Sequence, residues 1–513
     1  MATTLASEEG AAPAARVAQP AKAMAAPAIG LGTWLSYGIG AIAPGVKAGA
    51  FTTFLLFYYS QVVGVPATIV SGAIALTLFV DAFSDPFIGR WSDVTRSRWG
   101  RRHPFMYGSI IPTALFFALA WFPPAGLGPM AMGAWIFATA ALTRMSLSAF
   151  EISSNALAPE LTDSYGARAG LFSLRYWFGY AGAYLFSAIS LATFFAATPA
   201  YPRGQLNPAG YPAFALTSAA LISAVILICA LGTHNRIPWL RQSIATSRRG
   251  VMTHLGEMFR SFGNRGFLTI FGFGVFKYSA IGLYGGINLF FGTYLWKLSG
   301  GQLAILTLGG FAAATIAAPL APVAAHFFGK RTSAMLFAIL GVAWGLTPLF
   351  LALNHMFLTP GDPRLMPTLF FIDATYGAMV AISLINTSAM LADVVEDSAV
   401  RTGRRDSGTF FAAASFMQQC STAVGIFLTG RVLAWSHFPD KPAPGAVTDE
   451  MVRNLLVHYI PTSMGLWTIG ALILCFYPIT RARHEANLAI LRAREAEAIA
   501  NEQANLPVGG PMR

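Results

Sequence analysis

Asp81 and Asp85 stand four residues apart in an apolar run that begins near Thr68 and ends at Arg90. In a helix that spacing puts both carboxylates on one face, one turn apart. Arg90 opens a strongly basic stretch nine residues after Asp81, so Asp81 lies roughly 13 Å from that end, near the middle of a bilayer. A carboxylate at that depth costs on the order of 2.5–3.5 kcal/mol on insertion scales, and two together are a functional signal. Arg144, Ser148 and Glu151 follow at i, i+4 and i+7 and share another helical face, offering a cation, a hydroxyl and a carboxylate. Carboxylates and hydroxyls are the ligands of hard cations. Asp81, Ser84, Asp85, Ser148 and Glu151 are therefore candidate cation ligands, with a Na+ site expected at Asp81 and Asp85. The same carboxylates can instead take up H+, which neutralises a buried charge, or form structural pairs with Lys47 or Arg144.

The remaining charges inside apolar segments are few, and each is a site hypothesis by default. Lys47, Arg175 and Lys277 are candidate substrate ligands alongside Arg144 and Glu151; Arg175 can alternatively snorkel to head groups, and Lys277 can be structural. Asp373 is expected close to the outer surface, where water would solvate it. Cys229, Cys420 and Cys475 lie far apart in apolar segments, form no CxxC or metal spacing, and read as small core hydrophobes.

The elements that must hold these residues follow from composition. Of 513 residues 55% are hydrophobic and only 11% charged, against about 25% charged in soluble proteins. Apolar runs of bilayer length recur, which predicts an all-α integral membrane protein. Twelve spans are expected at 31–59, 65–89, 104–123, 130–158, 170–197, 212–235, 264–296, 302–328, 332–354, 366–394, 407–435 and 456–480. The net charge of +12 is no nucleic-acid signal, because its arginines and lysines gather in alternate loops. Arg90, Arg96, Arg98, Arg101 and Arg102 follow span two; Arg236, Arg241, Arg248, Arg249, Arg260 and Arg265 follow span six; Lys330 and Arg331 follow span eight; Arg401, Arg404 and Arg405 follow span ten. By the positive-inside rule both termini are then cytoplasmic, in a multi-pass protein of the bacterial inner membrane.

The chain thus divides into a disordered tail (1–29), a six-helix bundle (30–235), a cytosolic loop (236–263), a second six-helix bundle (264–480) and a partly helical cytosolic tail (481–513). Residues 1–28 carry Glu8 and Glu9 and no basic-then-apolar leader. The halves echo each other: Ala158-Pro-Glu160 and Ala392-Asp393 both end a span in acidic residues followed by arginine. Two six-helix halves are the plan of major facilitator transporters, with the substrate site between them. The cytoplasmic motif from Gly89 through Asp93 to Gly100, Arg101 and Arg102 reads as a gate, in which Asp93 latches onto arginine and glycines give close approach and a tight turn; Asp393 is its counterpart.

These residues carry a resemblance. Leu35-Ser-Tyr-Gly-Ile-Gly-Ala41, Tyr58-Tyr-Ser-Gln-Val-Val-Gly64, Asp81-Ala-Phe-Ser-Asp-Pro86, Thr95-Arg-Ser-Arg-Trp-Gly100, Pro159-Glu-Leu-Thr162 and Met390-Leu-Ala-Asp-Val-Val395 resemble the glycoside–pentoside–hexuronide:cation symporter family, between Leu35 and Leu433. The resemblance implies that Asp81, Ser84, Asp85 and Ser148 match cation-site positions, Glu151 the acid serving sugar binding and coupling, and Arg175 a sugar-site arginine. The family's span-one sugar acid aligns at Gly45, its span-four aromatic at Asn155, and its span-eleven lysine at Gln418; Asn155 and Gln418 join the candidate substrate ligands. Losing an acid while gaining Lys47 and Arg144 favours an anionic, uronate-type sugar, and a basic partner beside Asp81 and Asp85 favours H+ over Na+.

The expected function is cation-coupled (H+ or Na+) symport of a sugar or glycoside, with no cofactor, no nucleic acid, the lipid bilayer as surroundings, and a monomer. A cation-coupled lipid carrier of the same fold is the alternative, then a membrane sensor. The sequence has no GxxxxGK[ST], HExxH or GxSxG, which argues against an ATP-driven pump or an enzyme.

Overall fold

The computed structural model describes residues 29–162, 164–240, 263–402, 407–443 and 446–504. The expected tail before Ile29, most of the 236–263 loop, Arg404, Arg405 and the residues after Ala504 lie outside the described residues. The rest is helical. Helices α1 (Leu31–Val63), α2 (Ala67–Val94), α3 (His103–Leu119), α4 (Pro129–Leu161) and α6 (Gly210–His234) are joined by α5, which runs Tyr165–Tyr180, Ala181–Leu185 and Phe186–Thr193. Helices α7 (Arg265–Leu295), α8 (Gly300–Phe328), α9 (Lys330–Leu353), α10 (Leu365–Thr402), α11 (Ser407–Trp435) and α12 (Asp449–Leu474) repeat the pattern, and α13 (Arg481–Ala504) follows. Among the described residues ten helices are long and apolar enough to cross a membrane. The expected third span is a shorter apolar helix, and α5 carries arginines and a π turn over Ala181–Leu185.

Packing follows the repeat. In the first six helices α2 packs on α4, α3 on α4 and α6, and α1 on α5 and α6; in the second six α8 packs on α10, α9 on α10 and α12, and α7 on α11 and α12. Without a hydrophobic drive between helices in lipid, small residues let backbones touch. A Cβ on Gly45 would stand 2.3 Å from the Gly179 carbonyl, and one on Gly425 would stand 2.1 Å from the Ser279 carbonyl. The α1–α5 and α7–α11 crossings therefore have no room for a side chain.

The two sets meet through α2 with α11, α5 with α8, and α1 with α7. Their contacts seal the end remote from the basic loops. Tyr294 donates to Gln61 Oε1 (2.7 Å), Gln61 Nε2 to the Pro439 carbonyl (3.3 Å), Lys441 N to the Ser60 carbonyl (3.0 Å), and Ala67 N to Asp440 Oδ1 (3.2 Å). Phe57 packs edge-on to Phe290 at 5.1 Å. Gly64 ends α1 at φ +98° and lies against Lys441.

Candidate functional site

Between the two helix sets lies a cavity of about 840 Å³. Tyr176 on its wall is 71% exposed, so with the remote end sealed the cavity opens towards the basic-loop face. Such clefts are mostly apolar with a few placed polar groups. Here the charged lining groups are Glu151, Arg175 and Asp373, with Asn155, Tyr284 and Asn288 beside them.

Helix α4 connects this cavity to the paired aspartates. Arg144 NH1 lies 3.1 Å from Asp81 Oδ2, and Ser148 Oγ donates to Asp81 Oδ1 at 3.1 Å. Asp81 and Arg144 are both buried, and the Arg144 guanidinium also lies 5.6 Å from the Phe51 ring centre. The guanidinium thus lies directly against the Asp81 carboxylate. Asp85 Oδ2 accepts from Gln419 Nε2 (3.1 Å) across the set boundary, while its Oδ1 is buried without a hydrogen-bond partner. Two turns after Arg144, Glu151 faces the cavity, and among the described residues no ion pair reaches its carboxylate. Arg175 is anchored by Ser154 Oγ (3.1 Å), the Tyr37 carbonyl (3.4 Å) and the Tyr37 ring face (4.9 Å). It is therefore a buried member of the site and does not snorkel.

Other expected ligands lie elsewhere. Ser84 donates to its own helix at the Asp81 carbonyl (3.2 Å) and lines an apolar outer groove with Phe79, Phe83 and Phe87. Lys47 is half-buried outside the cavity lining. Lys277 is 1% exposed, also off the cavity, with its ammonium over the rings of Phe273 (4.8 Å) and Tyr278 (4.7 Å). Gln418 is exposed, one residue out of register with Gln419, which reaches Asp85. Asp373, expected at the solvated surface, lines the cavity and accepts from Tyr284 OH at 2.8 Å.

The gate candidates sit in two clusters. Arg102 binds Asp93 Oδ1 (2.6 Å), Ser92 Oγ (2.7 Å) and Glu160 Oε1 (3.4 Å), and Arg101 binds Glu160 at 2.6 Å. Gly100 turns this loop at φ +72°, whereas a Cβ on Gly89 would meet Ile152 at an ordinary 3.6 Å. In the second set Asp393 takes Lys330 Nζ at 2.6 Å, the counterpart of Glu160 with Arg101. The pairs join elements within one helix set. The tail helix adds Arg483 and Asn487 on Asp397 (2.9 and 3.1 Å), and His484 Nδ1 lies 3.3 Å from Asp393 and 3.1 Å from Glu396. Glu160, Gln419 and Asp373 are the residues that spacing alone did not single out for the site. Glu160 stood in a quoted motif, and Asp373 was visible as an intramembrane charge.

Comparison with known proteins places this geometry. Residues 36–481 match the family described as MFS/sugar transport protein. An uncharacterised symporter of Synechocystis is 26% identical, covering 90% of this chain and 97% of that protein. The isoprimeverose transporter of Lactiplantibacillus pentosus is 25% identical (91% and 93% covered), and the glucuronide carrier protein homolog of Escherichia coli 23% (87% and 92%). Among solved structures the nucleoside transporter NupG superposes with a TM-score of 0.59 at 13% identity (87% and 100% covered), and the D-xylose-proton symporter with 0.56 at 12% (87% and 96%), which establishes the major facilitator fold. The buried Asp81–Arg144 pair, the cavity between two six-helix sets and the match over most of the chain together identify a multi-pass membrane transporter, not an enzyme, that belongs to the MFS/sugar transport family of glycoside symporters.

Proposed function

We propose that this chain imports a hydroxyl-rich sugar or glycoside together with H+, through twelve spans, with both termini cytoplasmic and the cavity caught open to the cytoplasm. One observation carries the coupling: α4 presents Arg144 and Ser148 to Asp81 and, one turn further, Glu151 to the cavity. Proton uptake on Asp85, whose Oδ1 is buried without a partner, removes a buried charge, and that change is transmitted along one rigid helix to the substrate wall. Arg144 already supplies a cation to Asp81, which leaves fewer free oxygens for Na+ than hard-cation coordination requires. Substrate charge follows from the lining. Arg144 is matched by Asp81 and Lys47 lies outside the cavity, so the reasons for a uronate-type substrate weaken. Carboxylates at Glu151 and Asp373 instead accept hydroxyl hydrogens, as a neutral glycoside offers, and the relative named for isoprimeverose transport points the same way. Glu160 with Arg101 and Arg102, and Asp393 with Lys330, act as staples that keep each half rigid while the halves rock. The proposed working unit is the monomer.

The test is uptake into proteoliposomes from a panel of neutral sugars and uronates, each driven separately by an inward H+ or Na+ gradient. Accumulation of a neutral sugar under H+ alone supports the proposal. Accumulation under Na+ alone refutes proton coupling, and accumulation of uronates alone refutes the neutral substrate. No accumulation of any sugar turns the reading to a lipid carrier.

A further inference from the structure

Three acids, Asp393, Glu396 and Asp397, lie close together near the basic-loop end of α10, where the tail helix meets it. Asp397 is satisfied by Arg401 (2.7 Å), Arg483 (2.9 Å) and Asn487 (3.1 Å). Asp393 is 6% exposed and takes Lys330 Nζ on Oδ1 at 2.6 Å. The one ion-pair partner of Glu396 among the described residues is the imidazole of His484 on α13. His484 Nδ1 stands 3.1 Å from Glu396 Oε2 and 3.3 Å from Asp393 Oδ1. Nδ1 and Oε2 are both enclosed, and neither makes a hydrogen bond. The ligand atoms of the three residues lie within 4.8 Å of one another, and among the described residues no other three His, Cys, Asp or Glu side chains converge in this way.

An imidazole nitrogen set against two carboxylate oxygens needs a cation between them. A proton on Nδ1 can be aimed at only one of the two oxygens, and both separations exceed the roughly 2.7–2.9 Å of a charge-assisted N–H···O bond. A metal ion bonds all three atoms at once. Bonds of about 2.0–2.2 Å, usual for His nitrogen and carboxylate oxygen on zinc, place neighbouring ligand atoms about 3.0 Å apart at right angles and about 3.4 Å apart in a tetrahedron. Both His484 separations fall in that interval. The imidazole sets the ion class, because Mg2+ and Ca2+ take oxygen ligands while first-row transition ions take nitrogen and oxygen together. Two carboxylates neutralise a dication, and Arg401 and Arg483 are engaged on Asp397. Lys330 can share Asp393, since a carboxylate offers about four lone-pair sites.

We infer that Asp393, Glu396 and His484 form a site for a divalent transition ion of the Zn2+ class. Both carboxylates come from α10 and the imidazole from α13, so the bound ion fastens the tail helix to the second helix set. Water completes the coordination. Lys330 at the start of α9 competes with the ion for Asp393, which ties occupancy of the site to the Lys330 staple.

The experiment is calorimetric titration of the full chain, purified in detergent and stripped with a chelator, with Zn2+ and with Mg2+, together with the visible absorption of Co2+ used in place of Zn2+. One Zn2+ is expected to bind per chain, with no Mg2+ uptake and with a Co2+ band that Zn2+ abolishes. His484→Gln and Glu396→Gln are expected to weaken Zn2+ by about tenfold or more, whereas His326→Gln, at an exposed position on α8, leaves it unchanged. Lys330→Gln, which frees Asp393, is expected to tighten Zn2+, a change that damage to the fold does not produce. Trypsin cleavage after the exposed Arg492 is expected to slow when Zn2+ is added to the wild type and to stay unchanged in His484→Gln. Absence of stoichiometric Zn2+ binding in folded protein, or equal binding by the wild type and His484→Gln, overturns the inference and leaves a protonated histidine between two acids. Neither result touches the sugar-transport reading, because no arm of the test uses a sugar.

Discussion

Replacing Arg144 by Gln removes the guanidinium from a buried carboxylate 3.1 Å away. At an effective dielectric of about 20 two unit charges at that distance attract by about 5 kcal/mol. Desolvation offsets much of this in the intact pair, but removing one partner leaves Asp81 buried and uncompensated, which costs roughly 3–5 kcal/mol. Ser148 still donates to Asp81 Oδ1, which places the expected loss at the lower end, about 3 kcal/mol. Adding Asp81→Asn should restore most of it, because the double variant buries no net charge. The assay is a double-mutant cycle on thermal unfolding of the detergent-purified protein, repeated in NaCl and in KCl. Arg144→Ala also opens a space bounded by Asp81, Ser148 and Asp85. Na+ should enter it, and at a hundredfold excess over its dissociation constant would return about 2.7 kcal/mol in NaCl alone. An Arg144→Gln protein within about 1 kcal/mol of wild type, or a double variant no better than the single one, would refute the reasoning that Asp81 is left uncompensated when its buried partner is removed.

Three further outcomes are expected. Glu151→Gln should weaken sugar binding at least about tenfold with little change in stability, since among the described residues no ion pair depends on Glu151; equal affinity by calorimetry would remove it from the site. Glu160→Gln should cost about 3 kcal/mol by unpairing two arginines, whereas Asp93→Ala, on a 55% exposed side chain, should cost less than about 1 kcal/mol and mainly slow turnover. At the sealed end, burial pushes the Asp440 carboxyl above its usual range, against a smaller opposing pull from Ala67 N–H. The closed end therefore binds the extra proton, so closure is favoured below the raised value and lost as pH rises through it. Maleimide labelling of Ser60→Cys should accordingly increase with pH, and Asp440→Asn, which keeps an oxygen for Ala67, should flatten the profile; labelling that falls with pH would contradict the assignment.

The apolar runs, alternating basic loops and the Asp81–Asp85 spacing were enough to read the helical plan, since lipid leaves a spanning backbone few alternatives. That a cation would stand beside Asp81 was legible as an alternative, since a buried aspartate requires one, but Lys47 and Arg144 were equally eligible and Arg144 was expected on the substrate. The facing of individual residues was not. Adjacent helical residues differ by about 100° around the axis. That turn puts Asp85 inward and Ser84 on the outer groove, and Gln419 rather than Gln418 on Asp85. Asp373 was misplaced because it lies against neighbours on other helices, Tyr284 on α7 and Gly309 on α8, where a Cβ would stand 2.9 Å from its Oδ2, a dependence no local window contains. Gly45 is the converse case: read as a missing ligand, it is required by the backbone of α5.

The tail helix has a mechanical consequence. Arg483, His484 and Asn487 fasten its first turns to carboxylates at the end of α10, and Arg494 NH1 reaches the Val400 carbonyl at 3.1 Å. A helix of 24 residues so clamped is a lever of about 36 Å rooted in the second half. If that half turns by about 15° relative to the first, the scale of known subunit rotations, the free end of the lever sweeps about 9 Å. A fluorophore near Ala504 paired with one on the first half would convert each transport cycle into a distance change that single-molecule optics can follow, without placing any label in the substrate path.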